Sequence, residues 1–560
     1  MQQENNLPIG IAQVREFAHI LERYRQGKRA SERRIRSSEN WWRLRNSEEE
    51  GLRQDGSFKS VSGWLHNVIV SKHADAMDAF PEPVILPREA EDVEHAKMLS
   101  AVIPCILEQN HFEKTYSDVL WQKLKTGTGV YKVVWDPRKH HGLGDIAIER
   151  VNLLDLYFEP GVTDIQKSRY LFHTERCDRA LLEESYPHLA GKLTGGSFLG
   201  TSFQSDEATA DEDKCTVVEV YYHRAGLLHY CRFVGEHLLY ATENDPALCE
   251  RGLYDHGRYP YELDVLFPIE DSPLGYGFVD LCRNPQTEID LLKTSFVKNA
   301  MVGASPRYFY RQDGSVNERD FLDLSRPLVK VDGNLGQDSI RKIEHSSLDG
   351  VYVSVFDRVI DELRQTSGNT ETATGNIRSG VTAASAIAAL QEASGKGSRD
   401  SAKASWRVYG RIVELCIELV RQFYTLPRQF RITGDRFVSF SGRGICPRAQ
   451  GEEFGMSLGM RLPLFDVKVS AQKQNAYAKI TQNELAMQFW NLGFFDPTRA
   501  DMALSCLEMM DFDGKERIME RIRDNAALHQ HSMAGNDGVG RLTLPPGMEL
   551  AARVRSAETH

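Results

Sequence analysis

The sequence is short of the features that usually announce a function. Its nine cysteines (105, 177, 215, 231, 249, 282, 416, 446, 506) are scattered and odd in number. None stands in a CxxC pair, whereas a secreted disulfide scaffold would have them even in number and clustered, so reduced thiols in a cytosolic setting are expected. No stretch approaches the ~18 consecutive apolar residues of a membrane span; the apolar piece from Ile412 to Val420 is broken by Glu414 and Glu418. No cationic leader runs into an apolar stretch behind MQQENNLPIG, so no signal peptide is expected. Enzyme signatures are equally sparse. There is no HExxH. Gly195–Ser202 has the glycine spacing of a phosphate loop but no lysine, and Gly395-Lys396-Gly397-Ser398 has the lysine without the spacing. Asp511–Gly514 resembles part of a calcium loop, but Met509 stands where its first carboxylate belongs. His140-His141 has no third ligand nearby.

What is present is an ordinary globular balance over 560 residues, 41% apolar and 26% charged, which rules out a wholly disordered chain and leaves room for several domains. Seventy-nine acids against 68 bases give a net charge of −11, which argues against a surface that grips nucleic acid everywhere. The one basic stretch, Arg15 to Arg45, carries ten Lys/Arg and four Glu interleaved with Leu21, Tyr24, Ile35, Trp41 and Trp42. It reads as a solvated helix anchored by its aromatics, with a phosphate-facing arm as the alternative.

Periodicity lays out the rest. A helical pattern runs from Glu89 to Lys125 and stops at Gly127-Thr128-Gly129. Strand-like runs follow at Val130–Trp135, Asp145–Val151, Cys215–Tyr222, Leu227–Val234 and His237–Ala241, with a Gly/Ser/Thr- and acid-rich surface loop between Gly191 and Lys214. Asn284-Pro285 reads as a helix start, and Ile289, Leu292, Phe296 and Ala300 make an apolar stripe behind it. An insert of strands (Arg307–Arg311, Leu328–Val331) separates this helix from a second one carrying Val355, Val359 and Leu363. Two helices flanking a small insert make a hairpin with a cap at its tip. Beyond the Gly/Thr/Ser-rich piece after Thr366 and an Ala-rich run broken at Gly395 and Gly397, Trp406, Tyr409, Val413, Cys416, Val420 and Phe423 form the clearest 3.6-residue stripe. Strands at 429–433, 436–441 and 464–470, a helix lined by Ile480, Met487 and Trp490, another restarting at Asp496-Pro497, and a frayed tail from His529 complete the chain.

One catalytic motif is formally complete: Gly455-Met456-Ser457-Leu458-Gly459 is G-x-S-x-G. Its chemistry needs a strand before the serine and a helix after it. Here a polar stretch precedes it, a strand-like one follows, and the only later histidines (529, 531, 560) sit in the tail. A cytosolic serine hydrolase using Ser457 is kept as the alternative function, and a DNA binder built on residues 1–45 as a third.

The order of segments resembles the portal, or head-to-tail connector, proteins of tailed bacteriophages, particularly short-tailed ones. Lys125–Pro137, Val151–Pro160, Pro273–Asp280 with Gln286–Asn299, Ser379–Ile387 and Phe465–Val469 carry the likeness, over roughly Trp41 to Arg523. The resemblance implies an α+β, helix-rich portal-like fold with long stem helices, a small mixed α/β clip insert and a wing with short antiparallel strands. The divisions it implies are 1–278 wing, 279–303 stem helix, 304–348 clip, 349–366 stem helix, 367–400 tunnel-loop region, 401–471 long helix and wing strands, 472–528 crown helices and 529–560 flexible tail. It further implies a homododecameric ring at one capsid vertex, assembled in the host cytoplasm. The ring would be a channel for packaging and ejecting double-stranded DNA, without sequence preference. The expected partners are the terminase large subunit, a head-tail adaptor, the major capsid protein and scaffolding protein, with no membrane. No catalytic residue, cofactor or metal is expected, since ATP hydrolysis in this family belongs to the terminase. Arg378, Lys396, Arg399 and Lys403 are the cations nearest the expected channel, and Ile289, Leu292, Phe296, Val355, Val359 and Leu363 are the expected stem-packing residues. A tail this short implies no C-terminal barrel.

Overall fold

In this computed structural model the described residues are 8–45, 60–78, 80–193, 214–304, 308–310, 319, 322, 340–342, 350–369, 396–433, 436–449, 452–453, 456–457, 460–471, 487–489, 491–493, 496, 500–508 and 515–534. They form two compact units, one ending at Gln472 and one beginning at Lys473. The class is mixed helix and strand, α+β as expected.

The basic stretch is a helix, α1 (Ile11–Trp42). Val14, Phe17, Leu21 and Tyr24 recur three or four residues apart and bury one face against a five-stranded antiparallel sheet. That sheet is a meander of β4 (Leu156–Phe158), β5 (Tyr170–Asp178), β6 (Lys214–Arg224), β7 (Leu227–Val234) and β8 (His237–Ala241). Two of the helix's cations are structural. The Lys28 ammonium donates to the carbonyls of Leu153 (2.6 Å), Leu154 (2.9 Å) and Leu156 (2.5 Å) and lies 4.2 Å from the centre of the Tyr157 ring. Arg34 bonds Asp280 at 2.8 Å and the Gly275 carbonyl at 2.7 Å. The helix is anchored, as the interleaved aromatics suggested, with cations as well as rings among the anchors.

The main core joins α3 (Val93–Gln109), α4 (Phe112–Thr126), the small sheet β3–β2–β9 (Asp145–Arg150, Thr128–Asp136, Tyr261–Val265) and the long helix α8 (Lys396–Phe423). The single helix expected over 89–125 is in fact two. His111 adopts a left-handed conformation (φ 49°), which lets Phe112 turn inward and start α4. Gly127 ends α4 at φ 88°, and a Cβ there would lie 2.2 Å from the Tyr276 backbone, so the position demands glycine twice over. The apolar stripe of α8 is buried at Tyr409, Val413, Cys416 and Val420. Gly397 does not interrupt it; the helix already begins at Lys396.

Two long helices form a hairpin. The first, α6 (Phe278–Ala304), has 27 residues, about 40 Å of helix. It begins before Pro285, not at it. An interior proline costs about 3 kcal/mol, but the extra turns bury Phe278, Val279 and Cys282, and each large apolar side chain so buried returns roughly 1.5–3 kcal/mol. The second, α7 (Gly350–Ser367), runs back along it, with Phe296 edge-to-face on Phe356 at 5.4 Å. In the insert, Tyr308–Tyr310 pairs with Ile340–Lys342; the expected strand Leu328–Val331 lies outside the described residues. In the second unit, α9 (Ala500–Glu508) and α10 (Lys515–Ala534) pack through Ala500, Leu507, Met519 and Ile522. Helix α10 continues six residues, His529 to Ala534, into the stretch expected to be frayed.

Candidate functional site

The hairpin has two unlike halves. Its base is built into the chain: Ile289, Val359, Ile360 and Leu363 are buried with Leu65, Val68 and Ile69 of α2 (Trp64–Met77) and with Trp41. A polar stripe on α6, spaced by one turn, secures the strap in front of α2. Gln286 accepts from the Leu65 amide (2.9 Å), Asp290 from the amide (2.9 Å) and hydroxyl (2.5 Å) of Ser62, and Thr294 from the Ser60 amide (2.9 Å). Burial raises the Asp290 carboxyl, outweighing the Ser62 and Gln286 hydrogen bonds and the Lys293 charge that lower it. Its second oxygen is buried without a partner. A carboxyl held more tightly protonated in the fold supplies stability that is complete below its unfolded value and is lost as pH rises through its folded one. Asp290→Asn is therefore expected to abolish that slope and to be at least as stable as the parent at neutral pH, as urea midpoints at acidic and neutral pH will show.

The distal half is bare. Along the first turns of α7, Val351 (70% exposed), Tyr352, Val353 (55%) and Val355 are exposed, as is Met301 near the end of α6; Leu291 is exposed too, beside Asp290 of the base. Of the six residues expected to pack the stem, Ile289, Val359 and Leu363 are buried in the chain's own core, Leu292 and Phe296 are half-buried, and Val355 is exposed. Leu291, Met301, Val351, Tyr352 and Val353, outside the stripes read from the sequence, are exposed apolar residues of the same two helices. Stripe counting picks the most periodic residues, and those are the ones that pack within a chain.

The second feature is the start of α8. Arg399, Lys403 and Arg407 are exposed at successive four-residue steps, one basic face; one turn on, Arg411 is paired with Glu262 at 2.9 Å. Arg407 continues the series that the sequence reading ended at Lys403. Arg378 lies outside the described residues, and for Lys396 only the backbone is described. Two anchors hold this end of α8. Lys123 and Asp264, both fully buried, pair at 2.8 Å. Ser405 completes the triangle, accepting from Lys123 (2.7 Å) and donating to Asp264 (2.7 Å). Lys72 of α2, its ammonium form disfavoured by burial, reaches both the Gly368 carbonyl (3.2 Å) and Ser398 (3.1 Å). One lysine thus holds the chain where it enters and where it leaves segment 370–395.

The family model described as phage P22-like portal protein matches residues 75–226 and 228–537. The chain belongs to that family. A search of curated proteins returns no match. Membership makes this a portal protein, a structural part of the phage capsid that works in genome packaging as an oligomeric ring. Among the described residues no helix is long and apolar enough to cross a membrane. Ser457 does not occupy a nucleophile elbow: Met456–Ser457 pairs with Glu452–Glu453 as a two-residue strand, and the next described piece, Met460–Arg461, is again strand rather than helix.

Proposed function

We propose that this portal protein closes into a dodecameric ring at one capsid vertex and conducts double-stranded DNA through its bore, the α6–α7 hairpin serving as the stem. The supporting observation is the bare distal hairpin. Residues 351–355 span more than a turn, so their side chains point in several directions, and α6 covers one side only. A two-fold dimer would bury one self-complementary patch; surfaces facing different ways suit head-to-tail contacts that close by rotation. The insert 304–348 is then the clip, contacting the terminase large subunit during filling and the head-tail adaptor afterwards. Segment 367–400 is the tunnel loop, and 1–278 with 401–471 the wing. Residues 472–528 are the crown, and major capsid and scaffolding proteins surround the assembly. The purified full-length chain is expected to have a native mass near that of twelve copies and to show rings with a central hole in negative stain. A strict monomer or dimer across concentration and salt would overturn this reading.

Arg399, Lys403 and Arg407, on the helix that follows the tunnel loop, are the cations assigned to passing phosphate contact, with Arg378 and Lys396 beside them. A channel must not hold its cargo, since every Lys/Arg–phosphate contact adds salt-dependent affinity. Three weak contacts per chain on a net acidic protein suit a sleeve. Reversing two of them, in Lys403→Glu with Arg407→Glu, replaces weak attraction by repulsion. It should leave ring assembly intact and lower the yield of DNA-filled heads by about tenfold, read by comparing filled and empty particles on a density gradient.

A further inference from the structure

Strands β5 and β6 are joined by the long excursion 178–214, yet they pair in register over nine positions, with Cys177 directly opposite Cys215. Opposed residues of an antiparallel pair have Cα atoms about 4.5 or 5.5 Å apart and side chains on the same face. Both spacings lie inside the window of about 4.4–6.8 Å that a disulfide spans. The two side chains do share a face: Cys215 is buried in, and Cys177 packs against, a small apolar cluster with Leu182, Leu189, Val217 and Val234. No other pair of cysteines stands opposite in the strand registers of the described residues. All nine cysteines are thiols here, as a cell interior would keep them.

We propose that Cys177 and Cys215 are a latent disulfide site, oxidised once the particle leaves its reducing host, stapling the two ends of the 178–214 excursion together. The chemistry needs an external oxidant, which we take to be a small-molecule disulfide such as oxidised glutathione. The half-buried Cys177 loses its proton to solvent, and its thiolate attacks one glutathione sulfur, expelling the first glutathione thiolate and leaving a mixed disulfide. Cys215 then loses its proton and attacks the Cys177 sulfur, expelling the second glutathione thiolate. Two protein thiols are oxidised and one disulfide is reduced to two thiols. Burial raises both thiols, that of Cys177 to about 11, so the reaction should be slow at neutral pH and quicken in alkaline buffer. The occasion for oxidation rests on the chain being a capsid component; the bond itself does not, and the test reads the bond alone.

The full-length folded protein is incubated with oxidised glutathione in mildly alkaline buffer, its remaining thiols are blocked with iodoacetamide, and its peptides are mapped by mass spectrometry. The expected result is one joined peptide pair, Cys177 to Cys215, lighter by two hydrogens, in most of the chains and lost on adding dithiothreitol. In Cys215→Ser, glutathione should stay trapped on Cys177. The same protein unfolded in guanidinium should give a scatter of pairings, which shows that the fold selects the pair. Recovery of both residues as blocked thiols from the folded protein, a glutathione that remains on Cys177 in the parent, or a bond from either to another cysteine would each overturn the proposal.

Discussion

Val353→Glu is expected to produce a folded chain that no longer forms rings. Val353 is 55% exposed in its own chain, so its replacement should shift stability by no more than about 0.5 kcal/mol. A glutamate in the first turns of α7 also suits the helix dipole. In the ring proposed above the same carboxylate would be buried at the stem contact, and burying a charge in an apolar contact costs several kcal/mol. The penalty recurs at every interface of a closed ring, so assembly should fail outright at concentrations where the parent is fully assembled. Sedimentation velocity with far-UV circular dichroism separates the two effects. Leu291→Glu on the facing helix should behave alike. Leu363→Ala is the contrast: Leu363 is fully buried inside one chain, and truncation should cost about 2–5 kcal/mol of stability without specific loss of ring contacts. Rings that persist in both glutamate variants would show that the hairpin is not the assembly surface.

Lys123→Met should be the most damaging single change outside the apolar core. It leaves the Asp264 carboxylate buried beside Ser405 with no cation, and breaking a buried pair from one side costs about 3–5 kcal/mol. Restoring neutrality should recover more than half of that loss. In Lys123→Met with Asp264→Asn, the Ser405 hydroxyl keeps an oxygen to donate to and no lone charge remains. The comparison belongs in the Val353→Glu background, where ring dissociation does not enter the unfolding equilibrium. Urea midpoints then read the pair directly. A single-variant loss under about 1 kcal/mol would mean that water reaches the pair and that the start of α8 is held mainly by Lys72.

The family likeness was legible because it lives in local patterns and their order. Strand His237–Ala241 was read to the residue, and the α8 stripe by its 3.6-residue period. Punctuation misled where burial outweighed it. Pro285 resembles a helix start, yet Phe278, Val279 and Cys282 draw α6 past it. Gly397 resembles a break, yet a glycine near a helix end costs only about 1 kcal/mol. The left-handed turn at His111 was not read from the sequence, although histidine enters that region more readily than most residues; it turns Phe112 into the core.

Period, composition and segment order by themselves determined the class of fold, the hairpin with its insert, the lack of a membrane-length run and the resemblance to portal proteins. These properties depend on neighbours a few residues away, which a linear string displays. The tertiary structure alone decided which lysines are structural, since Lys28 and Lys123 look like any surface cation until carbonyls from 153–156 or a carboxylate at 264 close over them. It alone divided the hairpin into a base buried in the chain's own core and a stretch whose apolar side chains are exposed. It alone set Cys177 against Cys215 across a long excursion. Each of these is a choice of partner distant in sequence, made by the sum of many packing contacts, and no local pattern carries that sum.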